Sequence, residues 1–326
     1  MVTGERAPPS FPVREVIRRC AELEPPRARV PELPGVVRGI GFAIGMKNVG
    51  PAAGIDDSAA VRVVVHGGES PRAEVHCAIA EVGQGIATVV VQVARSELGV
   101  DDVRLAPHTT TSVGSAGPSS ASRGTWMLAS ATQLACRAAR EEVARRGGSL
   151  AAGEKVDIER TYRHAAADAG DDGTRRPEGV RSHAALALCA MKVAADVDVE
   201  LGTVRVAWIG AAADVGHAIY PAGVYGQVEG GAAQGLGLAL MEELDLDAGQ
   251  ITNASLREYL IPTACDVPPI ETVLVEDAHP DGPYGAKGVG EPPTVVAPAA
   301  VAAAVRAACG RDLARLPIRA EAVAGV

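Results

Sequence analysis

Three glycine-rich segments hold the residue types that could do chemistry in this chain. The first, residues 81–85, reads Glu-Val-Gly-Gln-Gly and lies where a predicted strand runs into a predicted helix. Glycine allows a positive φ and close backbone approach, and exposed amides at a helix start favour an anion or the polar edge of a cofactor. Gln84 adds an amide that can both donate and accept. The segment indicates either a binding loop or a plain strand–turn–helix connection.

The second segment, residues 226–231, reads Gly-Gln-Val-Glu-Gly-Gly, and more glycines follow at 235 and 237. Each glycine in a helix costs up to ~1 kcal/mol relative to alanine. We expect close packing or the approach of a ligand to offset that cost. The segment lacks the Lys-Ser/Thr pair of a P-loop and the spacing of the dinucleotide fingerprint, which argues against a conventional ATP or NAD site.

The third segment, residues 285–293, reads Gly-Ala-Lys-Gly-Val-Gly-Glu-Pro-Pro and precedes an alanine-rich predicted helix. Glu291 lies between flexible glycines and rigid prolines. A carboxylate held in this way can serve as a general base. From the residues alone, the favoured interpretation is a solvated loop glutamate or a charge at a helix start.

Other common chemistries lack their residue patterns. The seven histidines form no H-x-x-x-H or H-x-x-E-H cluster, and the six cysteines form no C-x-x-C pair. These spacings exclude the usual zinc sites, ferredoxin-type clusters and a disulfide framework. A G-x-S-x-G elbow is absent as well. We therefore expect the histidines to be surface or packing residues and the thiols to be reduced.

Hydrophobic periodicity predicts the elements that position the three segments. Alternating apolar residues indicate one hairpin within residues 59–79 and a second within 193–208. Helical spacing covers residues 86–98, 125–146 and about 227–244. Each half of the chain thus holds a hairpin, a Gly-Gln segment and a helix. This pattern predicts an α+β fold of two lobes, with mixed sheets and a weak internal duplication.

The same patterns predict four regions along the chain. We expect a linker with a short helix at 1–34, a first lobe at 35–148, a charged, irregular insertion at 149–180 and a second lobe at 181–326.

Composition bounds the class of protein. The chain has 326 residues and a mass of 33.2 kDa, with 47% hydrophobic and 22% charged residues, as in ordinary folded proteins. Its net charge of −9 should repel nucleic-acid phosphates. We expect no apolar run near the ~18 residues that span a membrane, and the N-terminus lacks a basic-then-apolar signal pattern. A cytoplasmic protein is the prediction.

Six motifs in fixed order resemble one enzyme family, the xanthine dehydrogenase / aldehyde oxidase family. The likeness is to the C-terminal half of its molybdenum-binding subunit and extends from about residue 11 to 320. The motifs occupy residues 39–42, 81–85, 119–122, 214–216, 226–231 and 285–293.

This resemblance implies hydroxylation of a purine, another N-heteroaromatic ring or an aldehyde, with water as the oxygen source and Glu291 as the general base. The implied cofactor is molybdenum-molybdopterin, in its cytosine dinucleotide form, with the metal held by the pterin dithiolene and not by protein side chains. By the same resemblance the cofactor would contact Gly83, Gln84, Gly85, Ala121, Ser122, Gln227 and Gly290.

The chain also departs from the family pattern. The N-terminal half of the molybdenum-binding subunit is absent, as are the iron–sulfur and FAD modules, and Met46 lies near the position of a substrate-stacking aromatic in xanthine-oxidising members. The resemblance therefore implies a split enzyme with a complementary N-terminal molybdopterin-binding subunit, an iron–sulfur subunit and an FAD subunit as partners. Two alternatives stay open: a catalytically silent fragment or cofactor-carrying scaffold, and an unrelated acidic, glycine-rich binding module.

Overall fold

The structure is a computed structural model that describes residues 7–326 except 27–32, 52–56, 108, 110 and 165–182. The helices are α1 Val13–Ala21, α2 Ile86–Leu98, α3 Gly124–Arg145, α4 Pro221–Leu240, α5 Pro292–Cys309 and α6 Ala320–Ala324. The strands are β1 Val36–Val49, β2 Ser58–His66, β3 Arg72–Cys77, β4 Asp102–Leu105, β5 Lys155–Arg163, β6 Ala185–Asp198, β7 Val204–Asp214, β8 Leu246–Asp247, β9 Gln250–Ile251 and β10 Ile270–Val275.

The first lobe is built on a four-stranded sheet with the order β4-β3-β2-β5. The hairpin strands β2 and β3 are antiparallel, β5 is antiparallel to β2, and β4 is parallel to β3. The connection between the parallel strands contains α2, as a parallel crossover requires. Helix α3 then packs on β2 and β5 and covers the apolar face of the sheet.

The second lobe repeats this arrangement. Its sheet has the order β1-β6-β7-β10, with β6 and β7 as the antiparallel hairpin, β1 antiparallel to β6, and β10 parallel to β7. Helix α4 lies in the parallel connection, and α5 packs on β1 and β6. The α+β class and both hairpins are confirmed. The two lobes agree in topology except that the outer strand follows α3 in one and precedes the hairpin in the other.

Helix α4 begins earlier than the sequence indicates. It starts at Pro221, a residue suited to a first helical turn, so the glycines at 226–231 lie inside a helix and not in a loop before it. A Cβ built on Gly231 would lie 2.7 Å from Pro293 Cβ, and one on Gly235 would lie 2.5 Å from Ala297 Cβ. Close packing of α4 against α5, therefore, is what requires these two glycines.

The segment predicted as an irregular insertion contains a strand. Residues 155–163 form β5 and pair along their whole length with β2, and the remainder at 165–180 lies outside the described residues. Strand β1, within the range predicted for the first lobe, pairs instead with β6 of the second sheet. The proposed boundaries thus cut across two strand pairings, because both outer strands join sheets whose hairpins are distant in the sequence.

Helix α5 corrects the expectation about apolar runs. Its 18 residues have a mean hydropathy of 1.3, so by length and composition this helix could cross a membrane. The apolar residues instead fill the interface with the second sheet, where Val296, Ala300 and Ala304 are buried. A core helix of a globular protein meets the same compositional test.

Candidate functional site

Two loops that hold the same place in their lobes meet at the candidate site. The first links β4 to α3 and ends with Ser122 and Arg123, and the second links β10 to α5 and ends at Glu291, immediately before α5. Ala121 and Ser122 have positive φ angles of 52° and 48°. Non-glycine residues seldom adopt this left-handed conformation, and such positions cluster at functional sites. The contacts of these two loops must therefore hold Ser122 in place.

Ser122 and Glu291 bind each other through two hydrogen bonds. Ser122 Oγ donates to Glu291 Oε2 at 2.9 Å and accepts from the Glu291 backbone N–H at 3.0 Å. Lys47 Nζ, near the end of β1, lies 3.3 Å from the same Oε2. The side chain of Glu291 is 39% exposed, and its Oε1 has no partner among the described residues. One carboxylate oxygen is thus fixed, while the other can accept a proton.

Buried Arg123 sets the shape of the first loop. Its Nη1 donates to the carbonyls of Ala116 and Pro118 at 2.8 and 2.9 Å, both within the loop. The rest of the guanidinium faces the start of β2, where Nε donates to Asp57 Oδ1 at 2.7 Å and Nη2 donates to the Ser58 carbonyl at 2.8 Å. A planar guanidinium fixes several acceptors at once. It therefore determines the path of the chain into Ser122.

A second buried ion pair anchors the loop that carries Glu291. Lys287 Nζ lies 2.7 Å from Asp214 Oδ2 at the end of β7, and both side chains are fully buried. The same Nζ donates to the Ser10 carbonyl at 3.1 Å, and the Gly216 N–H donates to Asp214 Oδ1 at 3.2 Å. Burial raises the pKa of Asp214, and the charge of Lys287 opposes that effect. The pair fixes the loop to the second sheet, four residues before Glu291.

Glycine is required where the second loop crosses the first. A Cβ built on Gly288 would lie 1.6 Å from the Ser122 carbonyl oxygen, a distance that no side chain can occupy. A Cβ on Gly290 would lie 3.3 Å from Gln227 Oε1 and 3.8 Å from Ser122 Oγ. The side chain of Gln227, on α4, therefore faces the same point as Ser122 and Glu291.

In the first glycine-rich segment, residues 81–85, the side chain of Glu81 binds backbone N–H groups of the segment itself and of the helix that follows. Glu81 Oε1 accepts hydrogen bonds from the backbone N–H groups of Gly83 and Gly85 at 2.9 and 3.1 Å, and Oε2 accepts from Ala87 at 2.9 Å. The sequence predicted that amides at the start of α2 are exposed to a ligand. That prediction is wrong for these three, because the carboxylate of Glu81 already satisfies them.

Gln84 and Gln227 line one cleft between the lobes, with a volume of about 50 Å³. Gln84 Oε1 accepts from the Val82 N–H at 2.7 Å, and Nε2 donates to the Ala80 carbonyl at 2.8 Å. A side-chain amide has two donors and two acceptor sites, so one of each is left for a ligand. The ring of Tyr220 lines the same cleft.

Most of the site residues predicted from the sequence converge. Ser122, Gln227, Gly290 and Glu291 form one cluster, and Gln84 lies in the cleft that Gln227 also lines. The remaining three contribute backbone. The Ala121 carbonyl accepts from the Gly50 N–H at 2.8 Å, Gly85 is the N-cap of α2, and Gly83 borders open space.

Sequence reasoning missed the charged residues that hold the cluster. Lys47, Arg123 and Lys287 were not among the predicted site residues, although Lys287 lies within the third glycine-rich segment. A lone lysine in an apolar, glycine-rich run was the usable signal, because a buried charge needs a partner. Asp57, 66 positions before Arg123, gave no such signal.

Comparison with known proteins decides the family. A family model, the molybdopterin cofactor-binding domain, matches residues 17–268. The chain belongs to this family. The matched range includes the Ser122 loop and Gln227, whereas Glu291 lies beyond it. Among the described residues, no group of three or more His, Cys, Asp and Glu side chains could hold a metal ion.

The relatives of this chain are longer proteins of which it matches one part. It is 32% identical to a probable xanthine dehydrogenase subunit of Bacillus subtilis, over 87% of this chain and 41% of that protein. It is 30% identical to the gamma subunit of the 6-hydroxypseudooxynicotine dehydrogenase complex of Paenarthrobacter nicotinovorans, over 87% of this chain and 39% of that subunit. The solved aldehyde oxidoreductase of Desulfovibrio gigas superposes with a TM-score of 0.78 and 25% identity, over 96% of this chain and 34% of that one.

The chain therefore spans less than half the length of these relatives. Its fold and sequence fit the C-terminal half of the molybdenum-binding subunit of the xanthine dehydrogenase / aldehyde oxidase family. The side-chain amides of Gln84 and Gln227, which line the same cleft, can donate to and accept from the polar edge of a pterin. Sites for ligands of this size usually enclose ~300–1,000 Å³. A cleft of about 50 Å³ is too small to enclose such a ligand by itself.

Proposed function

We propose that this chain is the part of a molybdenum hydroxylase that carries the catalytic base. The enzyme would oxidise a purine, another N-heteroaromatic ring or an aldehyde, with water as the oxygen source. When bound, the molybdenum cofactor supplies oxygen transfer to the substrate and accepts its electrons. Glu291 acts as the general base, and Gln84, Ser122 and Gln227 bind the pterin.

The observation that carries this proposal is the way Glu291 is held. Its Oε2 is fixed by Ser122 Oγ at 2.9 Å and lies 3.3 Å from Lys47 Nζ, while its other oxygen has no partner among the described residues and the side chain is 39% exposed. A general base must be positioned within hydrogen-bond reach of the proton that it removes. A solvated surface glutamate would not need two buried ion pairs to place the loops around it.

The proposal extends to the cofactor form and the partners. We assign the cytosine dinucleotide form of molybdopterin, and we place the iron–sulfur clusters and FAD on partner subunits in a cytoplasmic complex. A complementary N-terminal molybdopterin-binding subunit would close the cleft. Relatives named as subunits of complexes support partners in general.

The test is Glu291→Gln in the complex purified from the native host. Turnover of xanthine, nicotinate and benzaldehyde with an artificial electron acceptor is compared with that of the unmodified complex. We expect the loss of the base to lower turnover at least ~100-fold on the active substrate, with molybdenum content unchanged. Glu69→Gln, an exposed glutamate in the β2–β3 turn, is the matched control.

Two results would contradict the assignment. Full turnover by Glu291→Gln would mean that another group takes the proton. Loss of molybdenum in that variant would mean that Glu291 holds the site together and is not its base. A wild-type complex with molybdenum but with no turnover on any hydroxylase substrate would favour the silent-scaffold alternative.

A further inference from the structure

The outer strand of the second sheet exposes an apolar row that nothing in the described structure covers. Four alternate residues of β1 point to the same face and are 39–44% exposed. This row, here called the β1 row, spans about 20 Å at the usual rise per strand residue. It consists of Ile40, Phe42, Ile44 and Met46.

The opposite face of β1 is covered by helix α5. Strand β1 therefore cannot rotate to bury the β1 row on that side. A Cβ built on Gly39 would lie 1.9 Å from the Ala304 carbonyl oxygen, and one on Gly41 would lie 2.2 Å from that of Ala300. Helix α5 thus lies directly on the backbone of β1. Only glycine fits beneath it, and the large side chains must stay on the other face.

The neighbouring strand is covered on the face that the row shares. Ile44 and Met46 pair with Ala190 and Leu188 of β6. Those two residues are buried beneath Val16 of α1 and its neighbours, at 0% and 3% exposure. Helix α1 therefore covers β6 and leaves the β1 row between itself and the sheet edge.

The equivalent strand of the first lobe shows how this fold protects an edge. Strand β5 is also outermost in its sheet, but charged side chains recur along it. Charges on an edge strand discourage pairing with another chain. Residues 39–46 of β1 read Gly-Ile-Gly-Phe-Ala-Ile-Gly-Met, without a charge or a proline. The charged residues of β5 are Lys155, Asp157, Glu159, Arg160 and Arg163.

One edge strand carries both the β1 row and a contact to the candidate site. Lys47 follows Met46 on β1 but projects from the opposite face, where its Nζ lies 3.3 Å from the Glu291 carboxylate. A polypeptide paired with the edge of β1 would therefore lie beside Lys47. The chain covers 41% of its Bacillus subtilis relative, so more than half of such a subunit has no counterpart here.

We propose that β1 is the docking strand for the complementary part of the molybdenum-binding subunit, carried by a separate polypeptide. A strand of that partner pairs with the free edge of β1, and its apolar side chains cover the β1 row. Main-chain hydrogen bonds give such strand addition its affinity, and the side chains on alternate positions give its specificity. This inference rests on the proposed function, because it takes the partner from the family to which that function belongs.

The test places a photo-cross-linking benzoylphenylalanine at position 42 of the chain in its native host, followed by mass spectrometry of the adducts. We expect one dominant adduct with a polypeptide whose sequence matches the portion of the relatives that this chain does not cover. The same group at Leu256, a 76% exposed loop residue, is the control and should give at least tenfold less of that adduct. An adduct with a second copy of this chain, with an unrelated protein, or no adduct overturns the proposal.

A second readout separates this surface from the proposed function. Molybdenum and released pterin are measured on the same purified samples. Cofactor with no adduct to the complementary polypeptide means that the docking surface is wrong and the function stands. That adduct in a complex without cofactor means that the docking surface stands and the function fails. Phe42→Asp with Ile44→Asp should also lower recovery of the complementary polypeptide at least tenfold, while Leu256→Asp leaves it unchanged.

Discussion

The two lobes place equivalent loops at the site, but they anchor those loops with different cations. Arg123 binds two carbonyls of its own loop as well as Asp57 and Ser58, whereas Lys287 binds only groups outside its loop, on Asp214 and Ser10. An arginine fork can fix the internal shape of a loop, and a lysine acts as a single point of attachment. The difference indicates that the first lobe shapes the Ser122 loop and the second lobe positions the Glu291 loop.

The largest effect is expected from Arg123→Met. The change leaves the Asp57 carboxylate buried and unpaired and removes the donor to three carbonyls, so we expect a loss of about 3–5 kcal/mol in the free energy of unfolding. Urea unfolding followed by circular dichroism measures it. Arg104→Met, whose arginine side chain is 73% exposed in its ion pair with Asp102, is the control and should lower the free energy of unfolding far less. Equal losses in the free energy of unfolding for the two variants would mean that Arg123 does not hold the shape of the Ser122 loop.

The next largest effect is expected from Lys287→Met, which should lower the free energy of unfolding by about 3 kcal/mol. The change removes one attachment point of the loop and leaves the buried Asp214 carboxylate without its partner. The double variant Lys287→Met with Asp214→Leu removes both charges and should recover much of that loss. The free energy of unfolding is again the measurement. A double variant as unstable as the single one would show that the loop depends on the hydrogen bonds of Asp214 and not on the charge pair.

These anchors mark the limit of what the sequence could predict. Helix α2 was predicted with the bounds that the structure gives, because its apolar residues repeat at helical spacing. Strand β5 was missed although residues 155–159 alternate charged and apolar side chains, because this short run lies within a long charged segment that was interpreted as one irregular insertion. The resemblance supplied Ser122 and Glu291 as site residues. Their hydrogen bond joins positions 169 residues apart, and no local pattern predicts such a contact.

Ser122→Ala tests whether the two lobes cooperate at the base. The variant loses both hydrogen bonds to Glu291, which should cost about 1–2 kcal/mol in the free energy of unfolding. If Ser122 positions the base, kcat should fall about tenfold while KM changes little. Ser120→Ala, an exposed serine in the same loop, is the control. An unchanged kcat would show that Lys47 and the backbone suffice to hold Glu291.

The smallest effect concerns a contact between the lobes. Tyr284 OH donates to Glu97 at 2.8 Å, and burial together with this hydrogen bond raises the pKa of Tyr284 to about 12 from an ordinary value of 10. A raised pKa stabilises the fold fully below pH 10, and the contribution is lost as the pH rises toward 12. Tyr284→Phe should cost about 1 kcal/mol at pH 8.

The pH dependence separates this contact from simple loss of packing. Between pH 9 and 11, the urea midpoint of the wild type should fall more than that of Tyr284→Phe. Tyr225→Phe, which changes a 40% exposed tyrosine on α4, should keep the wild-type pH dependence. Parallel curves for wild type and Tyr284→Phe would contradict a contribution from the Tyr284–Glu97 contact.

The most direct test of the proposed function is the molybdenum and pterin content of this chain when it is tagged and purified gently from its native host. We predict close to one molybdenum and one pterin per chain, recovered together with a complementary polypeptide. Absence of both, from cells that load their other molybdenum enzymes, would contradict the proposal and leave Glu291 without a catalytic role.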